Sequence, residues 1–552
     1  METNRCLKLK PKKRVNMLFS LLYKTNKYKL NKDQEKAIIE ILTEGAGFAV
    51  LGVGSGKTLL SFLLTYIFDL PTLLLCPADL RNNADIEFAK FRKHFNIAMP
   101  DICSYGQLSV SNFSNYLDKN KPKLIICDEA HKLKNLSSVR TKRLFNYLLE
   151  NPSTKFIGMT GTVTTKSLHD YAHLFEAALG DRSPIPRDGE DLIIWDEHIA
   201  PSDLPNRWQW IELSGLANKY GYKLEGTNKD KKLTIQKAYR EHLVNSSGVH
   251  FSTKPSIGSS LVLFAKKNIG YPQKLKDLEK EIRASKCLPN GEVFPNDAAE
   301  SRSLFQIAHG FYYIWDWHGI ADHIRFDWTY ARSDWNRGLR AYLSGKYQKN
   351  LDAPSLVEQR IKNGGHDIPK WLIQSFKSWE KVRNKANPST IPIWIDDYLI
   401  NYALNYCLGS NPIILWYKFK ACADKLRPYI KVYEAGQDID LKKHHCALSL
   451  SYATGHNLQS WDDNFFLTPM RSGLIWEQAL GRTHRQGQAS DIVRAAVPQH
   501  HTKFVDRLAS AIQEAKYIQE TTGNLQKLCY ASWGDITKRS NKRKKIWQNQ
   551  TS

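Results

Sequence analysis

Cysteine is scarce and scattered in this chain. Nine occur in 552 residues, no two within four positions, and no Cys-x-x-Cys pair is present. That pattern excludes a cysteine-built zinc site and a disulfide framework. It assigns free thiols in a reducing, intracellular compartment. Long hydrophobic runs are missing as well. The greasiest stretch, Leu59 to Leu75, is interrupted by Asp69 and Pro71. It reads as a helix followed by a buried strand, and no membrane partner is expected. The N-terminus lacks the apolar core of a signal peptide. Acid is the third shortage: 55 Asp and Glu stand against 79 Lys and Arg, a formal charge of +24. Such an excess points to a polyanionic partner, nucleic acid first and an anionic membrane second.

What is present is enough for packed cores, since 42% of residues are hydrophobic. The length leaves room for roughly three to four domains. Residues 1–25 read as a basic arm, in which Lys10 to Val15 resembles a nuclear import signal. Between 26 and 184, short apolar runs alternate with longer amphipathic ones. Phe48–Leu51, Thr72–Cys76, Leu124–Cys127 and Lys155–Met159 are predicted buried parallel strands. This is the pattern of a doubly wound α/β lobe, whose sites gather at the carboxyl ends of its strands. Residues 185–392 change character. Tryptophan and tyrosine become frequent and strand-like runs few, which predicts a mainly helical insertion. Its tryptophans are expected in cores rather than stacked on bases. From 393 to 520 the α/β rhythm returns, with strands predicted at Pro412–Trp416, His445–Leu450, Asn464–Leu467 and Asp491–Val497. Residues 521–552 form a basic tail.

Each motif follows a predicted strand. Gly52-Val53-Gly54-Ser55-Gly56-Lys57-Thr58 is a phosphate loop of the Gly-x-Gly-Lys-Thr type, with Leu51 where the longer pattern has glycine. Small residues let backbone N–H groups wrap phosphates. Lys57 would serve the β- and γ-phosphates, and the Thr58 hydroxyl a Mg2+ ion. ATP and Mg2+ are therefore the expected cofactors, with Gly54, Ser55, Gly56, Lys57 and Thr58 as their loop. Asp128-Glu129-Ala130-His131 ends another strand. Asp128 would hold Mg2+ and Glu129 would orient and deprotonate water. Gln478 to Gln488 places Arg482 and Arg485 three apart, the spacing of one helical face. His444-His445-Cys446 and His500-His501 lack a partner set, so ordinary histidines are expected there.

In this order the motifs resemble those of the superfamily 2 helicases. The ending His484-Arg485-Gln486-Gly487-Gln488 resembles the Swi/Snf-type ATPases, in a compact form like those of tailed phages and other viruses. The match covers roughly 28–180 and 395–520. The resemblance implies two RecA-like lobes and an adenine-reading Gln34. It places Gly455 at the nucleotide and makes Gln478, Arg482 and Arg485 catalytic, the arginines acting on the γ-phosphate. Pro77, Ser104, Tyr105, Thr160, Thr162 and Asn457 would face DNA. The segment from Gln306 to Tyr313 resembles one that packs back on the motor and contacts DNA; a structural role has equal weight. Two departures stand out: Leu51-Gly52 replaces the usual Asp-Glu, and Gly481 replaces the usual Asp. The implied function is a monomeric, double-stranded-DNA-stimulated ATPase that translocates on DNA with little sequence preference. A strand-separating helicase and an ATP-switched clamp that recruits a partner are the alternatives. The compartment would be a bacterial host's cytoplasm for a phage chain, or the nucleus for a eukaryotic one.

Overall fold

The computed structural model describes residues 19–25, 27–52, 55–161, 163, 167–187, 189–200, 210–252, 257–294, 296–344, 351–442, 444–453 and 456–534. Most of the basic arm, and the tail from Lys538, lie outside the described residues. The chain divides into two compact units. The first comprises Met1–Pro255, Trp315–Thr390 and Tyr517–Asn524. The second comprises Ser256–Ile314, Ile391–Lys516 and Leu525–Ser552.

The first unit is built on six parallel strands: β1 (Gly47–Val50), β2 (Thr72–Cys76), β3 (Asp101–Ser104), β4 (Leu124–Asp128), β5 (Lys155–Thr160) and β6 (Val249–Phe251). Their order is β3-β2-β4-β5-β1-β6. Because side chains alternate along a strand, each apolar run feeds two cores. Phe48, Val50, Leu73, Leu75, Ile125 and Cys127 enter one. Ala49, Leu51, Leu74, Leu124 and Ile126 enter the other. Helices α1 (Lys32–Glu44), α2 (Lys57–Phe68) and α3 (Ala78–Phe91) cover the second core. Helices α4 (Tyr105–Ser109), α5 (Val139–Glu150), α6 (His169–Leu179) and α7 (Asn228–Val244) cover the first. Full burial of each leucine or isoleucine contributes about 1.5–3 kcal/mol. The strands therefore stay in the sheet despite their short length.

The second unit repeats the plan with β7 (Ser260–Lys266), β10 (Ile413–Tyr417), β11 (Lys431–Tyr433), β12 (Cys446–Ser449), β13 (Asp463–Phe466), β14 (Ile492–Pro498) and β15 (Ser532–Trp533). All pair in parallel, in the order β11-β12-β10-β13-β14-β7-β15. Again the residues alternate between two cores, Ile414, Trp416 and Phe466 facing one and Ile413, Leu415 and Phe465 the other. The fold is α/β, with two doubly wound parallel sheets as expected for RecA-like lobes. The stretch 185–392 contributes more strand than its composition suggests: β6 joins the first sheet and β7 the second. A separate two-stranded sheet pairs β8 (Phe311–Asp316) with β9 (Ser389–Trp394).

Within that stretch, α8 (Asp322–Ser344) and α9 (Lys370–Val382) form a hairpin with its own small core around Trp335, Leu339, Val357, Leu372 and Phe376. Trp328 and Trp335 are buried as expected, whereas Trp371 is half exposed. A buried bidentate pair ties the hairpin to the first sheet's helices. Arg143 on α5 donates to both carboxylate oxygens of Asp352, at 2.5 and 2.6 Å, and also to the carbonyls of Leu108 and Val110. Asp352→Ala would leave a buried guanidinium without its anion, at a cost of about 3–5 kcal/mol. Urea denaturation should show that loss, and replacing both partners by leucine should recover much of it. An unchanged midpoint for Asp352→Ala would contradict the assignment.

The Gln306–Tyr313 segment is largely internal. His309 is fully buried, its Nδ1–H donating to the Phe305 carbonyl at 2.8 Å and its Nε2 lying 3.1 Å from the Thr468 hydroxyl. Burial pushes His309 down to about 3 and His500, in the same unit, to about 4. Both are neutral when folded and take a proton when unfolded below about pH 6.5. Their stabilising contribution is therefore complete above that pH and declines as pH falls towards their folded values. Melting temperature should fall between pH 6.5 and 4.5, and His309→Gln should flatten the decline. An equal decline in the variant would show that His309 is not responsible.

Candidate nucleotide site and arginine turn

Strand register brings the first unit's candidate residues to one edge. Val50 pairs with Thr160, and Met159 pairs with Asp128. The phosphate loop, Thr160 and the acidic turn therefore leave the sheet at nearly one level. Leu51 explains its own departure from the longer glycine pattern. It is fully buried, and its N–H continues the ladder to the Thr160 carbonyl at 2.9 Å. Gly54 lies outside the described residues. Ser55 closes the turn by donating its hydroxyl to the Gly52 carbonyl at 2.7 Å. Gly56 caps α2 at φ +82°, and a Cβ there would collide with the Gln34 amide. The positive φ favours glycine there, and a side chain would also displace the Gln34 amide.

Gln34 itself is the third residue of a capping box on α1. Its Oε1 accepts from the Asn31 N–H, and its amide donates to the Ser55 carbonyl at 3.2 Å. It braces the phosphate loop. Thr58, half buried in the first turn of α2, and Asp128, buried at the end of β4, supply a hydroxyl and a carboxylate. Such hard oxygen donors fit Mg2+, which takes one or two carboxylates and fills its remaining positions with phosphate oxygens and water. Among the described residues no group of three or more His, Cys, Asp or Glu forms a metal cluster, and His444–Cys446 and His500–His501 build none.

Glu129 is the centre of the site. It adopts a left-handed backbone at φ +57°, ψ +50°, an uncommon conformation for a residue with a side chain. The Asp128 carboxylate accepts its N–H at 2.9 Å. The Glu129 carboxylate lies 2.9 Å from Lys57 Nζ and 3.3 Å from His131 Nδ1. Burial pushes its carboxyl up, but Lys57 and then His131 outweigh burial and hold it well below the usual carboxylate range. Burial pushes His131 down, against the pull of Glu129. The carboxylate is thus ionised, with Lys57 as its main partner.

The positions expected at DNA divide. Pro77 caps α3 and is half buried, and Asn457 is exposed, its amide bonding Gln459 at 2.9 Å. Ser104 is buried and caps α4 through the Gln107 N–H. Tyr105 is also buried, and its hydroxyl donates to the Asp128 carbonyl at 2.8 Å. Thr160 is fully buried, 3.4 Å from His131. Tyr105 and Thr160 therefore support the acidic turn instead of presenting side chains to a strand. Sequence reasoning missed this bracing role, and also His131 as the second partner of Glu129. The Asp-Glu-Ala-His spacing was the available signal for the latter. Thr162 and Gly455 lie outside the described residues.

In the second unit, helix α10 (Gly473–Thr483) carries Gln478, which is buried, and Arg482 in its last turn. The helix stops there. His484 caps it at φ −95°, ψ +88°, and Gly487 turns at φ +87°. Arg482 and Arg485 do not share one helical face, contrary to their spacing in sequence. Arg482 is buried, donating to the carbonyls of Ala453 at 2.8 Å and His456 at 3.1 Å. It thereby holds Ala453 and His456. The turn beyond is anchored by His484 to the Ser259 carbonyl and by the Gln488 amide to the Trp461 and Thr483 carbonyls. Arg485 is half buried. Among the described residues no hydrogen bond or ion pair is made by its side chain, and burial pushes its guanidinium down from its ordinary value.

A phosphate loop and an acidic turn at one edge of a doubly wound sheet define the class of P-loop nucleotide hydrolases. Comparison with known proteins narrows this. Residues 27–165 match the family described as Type III restriction enzyme, res subunit. A protein named Switch 2 from Arabidopsis thaliana is 28% identical over 123 residues, which is 19% of this chain. The match spans 14% of that protein's length. Together these support an ATP-hydrolysing, helicase-like domain of the superfamily 2 kind. No described helix is long and apolar enough to cross a membrane.

Lys57→Ala should abolish ATP hydrolysis, because the phosphates lose the loop's cation, while DNA binding largely survives. The Glu129 carboxyl should also rise once its main opposite charge is gone. Phosphate release and the pH dependence of melting report the two effects. Near wild-type hydrolysis by the variant would show the site to be misassigned.

Proposed function

We propose that this chain is a DNA-dependent ATPase that moves along double-stranded DNA as a monomer. The observation that carries the reading is Glu129, held left-handed and ionised between Lys57 and His131 at the edge that bears the phosphate loop. In this state Lys57 and Glu129 satisfy each other. Bound triphosphate would compete for the Lys57 ammonium and free Glu129 to take a proton from the attacking water. Thr58 and Asp128 would hold Mg2+, which when bound neutralises charge on the β- and γ-phosphates. Arg485 would act as the arginine finger in the ATP-bound, closed state, and Arg482 would keep its turn in place. The +24 charge supplies phosphate-backbone affinity. That affinity carries little sequence information and weakens steeply with salt. The Swi/Snf-type branch and a phage or viral source belong to the same proposal.

Displacement of a triplex-forming third strand from duplex DNA tests movement directly. ATP-dependent release is expected without separation of the duplex strands. Release of a duplex strand instead would make the chain a helicase, and neither release would leave an ATP-switched clamp. Glu129→Gln should bind ATP yet turn over about a hundredfold more slowly or worse, since an amide cannot take the proton. A comparable loss of nucleotide affinity would make Glu129 structural. The two arginines should separate. Arg485→Ala should lower kcat by roughly a thousandfold at an unchanged melting temperature, with little rescue by lysine. Arg482→Ala should lower the melting temperature. Equal destabilisation in both would refute the division of roles.

A further inference from the structure

The last described segment of the second unit packs against the helix that leads to Arg485. It consists of a short helical turn, Lys527–Tyr530, followed by β15. Leu528 and Ala531 enter the core that also holds Ala479 and Leu480 of α10. β15 pairs with β7, Ser532 opposite Val262 and Trp533 opposite Leu263. The Gly534 N–H extends that ladder to the Leu263 carbonyl at 2.9 Å. Between these anchors Lys527 meets Glu477 of α10. One oxygen of the Glu477 carboxylate accepts the Lys527 N–H at 2.7 Å, and the other accepts its ammonium at 2.8 Å. The two side chains are 8% and 16% exposed. Burial pushes the Lys527 ammonium down, but Glu477 outweighs burial and holds it above its ordinary value.

The same segment reaches His484, the residue between α10 and Arg485. Burial pushes the His484 imidazole down, so the ring is neutral. Its Nε2–H donates to the Ser259 carbonyl at 2.9 Å, just ahead of β7. Its Nδ1 is left as an acceptor, 3.5 Å from the Tyr530 hydroxyl. His484 is therefore held between the start of β7 and a segment that itself pairs with β7. The Arg485 side chain makes no hydrogen bond or ion pair among the described residues. Its place is set by the backbone that carries it, and His484 is the residue before it. Apolar residues often replace a buried ion pair without loss of stability. What a two-point, charge-assisted contact adds is one fixed geometry.

We propose that Glu477, Lys527 and Tyr530 are positioning residues, which hold His484, and through it the backbone of Arg485, in the arrangement from which the guanidinium can reach the γ-phosphate. The proposal rests on the reading of Arg485 given above. Its test is single-turnover ATP hydrolysis by the full chain, with ATP affinity and melting temperature measured on the same preparations. Tyr530→Phe keeps the ring and removes the hydroxyl. It should melt close to wild type, bind ATP unchanged and hydrolyse about threefold to tenfold more slowly. Lys527→Met leaves Glu477 buried without its cation, so it should lose both rate and melting temperature. Glu477→Leu/Lys527→Met should regain the melting temperature and stay about tenfold slow or worse. In an Arg485→Ala chain, Tyr530→Phe should cause no further slowing, because no finger is left to position. Recovery of rate together with stability in the Leu/Met variant would overturn the proposal and make the pair structural. So would slowing by Tyr530→Phe of the same size in the Arg485→Ala chain, or a wild-type rate for Tyr530→Phe where Arg485→Ala is slow. A wild-type rate for Arg485→Ala itself would refute the reading of Arg485, and the proposal with it.

Discussion

The ion pair between Lys57 and Glu129 is the constraint on which the candidate site depends. One partner begins the helix after β1 and the other turns the chain after β4, and β5 separates these strands in the sheet. The pair can form only because the ladders set both strand ends at one level. It also accounts for the left-handed Glu129. Such a backbone persists where its surroundings fix it from several sides. Here the Asp128 carboxylate holds the N–H, Tyr105 holds the Asp128 carbonyl, and Lys57 with His131 holds the carboxylate. A buried pair of this kind is weak evidence for stability. In the proposed mechanism its significance is that it keeps a carboxylate ionised where a phosphate would replace it as the lysine's partner.

In the second unit, the neighbours of Arg485 are held by backbone carbonyls. Arg482 takes the Ala453 and His456 carbonyls, and Gln488 takes those of Trp461 and Thr483. With His484 buried and bonded to Ser259, the turn is fixed on either side of Arg485.

Much of this was legible in the sequence, for identifiable reasons. Fully buried parallel strands read as continuous apolar runs, so β1, β2, β4, β5, β10, β12, β13 and β14 could be placed from composition. Shorter strands, β3 and β11 among them, were not placed, and two of the unplaced strands have partners far away in the sequence. β6 is three residues long and pairs with β1, some two hundred positions earlier. β7 pairs with β14, more than two hundred positions later. No local pattern reports such a pairing. The same limit applies to the arginines. A spacing of three suggested one helical face, but the helix ends at Thr483 and the buried His484, at φ −95°, ψ +88°, stands between the two arginines. Tyr105 and Thr160 show a further limit. A motif position gives a residue's place along the chain, whereas only the register shows that both pack under the acidic turn.

Steady-state phosphate release, measured in parallel without nucleic acid and with single-stranded DNA, duplex DNA or RNA, tests the central claim most directly. A site whose buried carboxylate waits for its lysine to be drawn away should turn over slowly alone. It should be stimulated most by duplex DNA, with the stimulation falling as salt rises. Hydrolysis at one rate under all four conditions, or stimulation by RNA alone, would contradict the account.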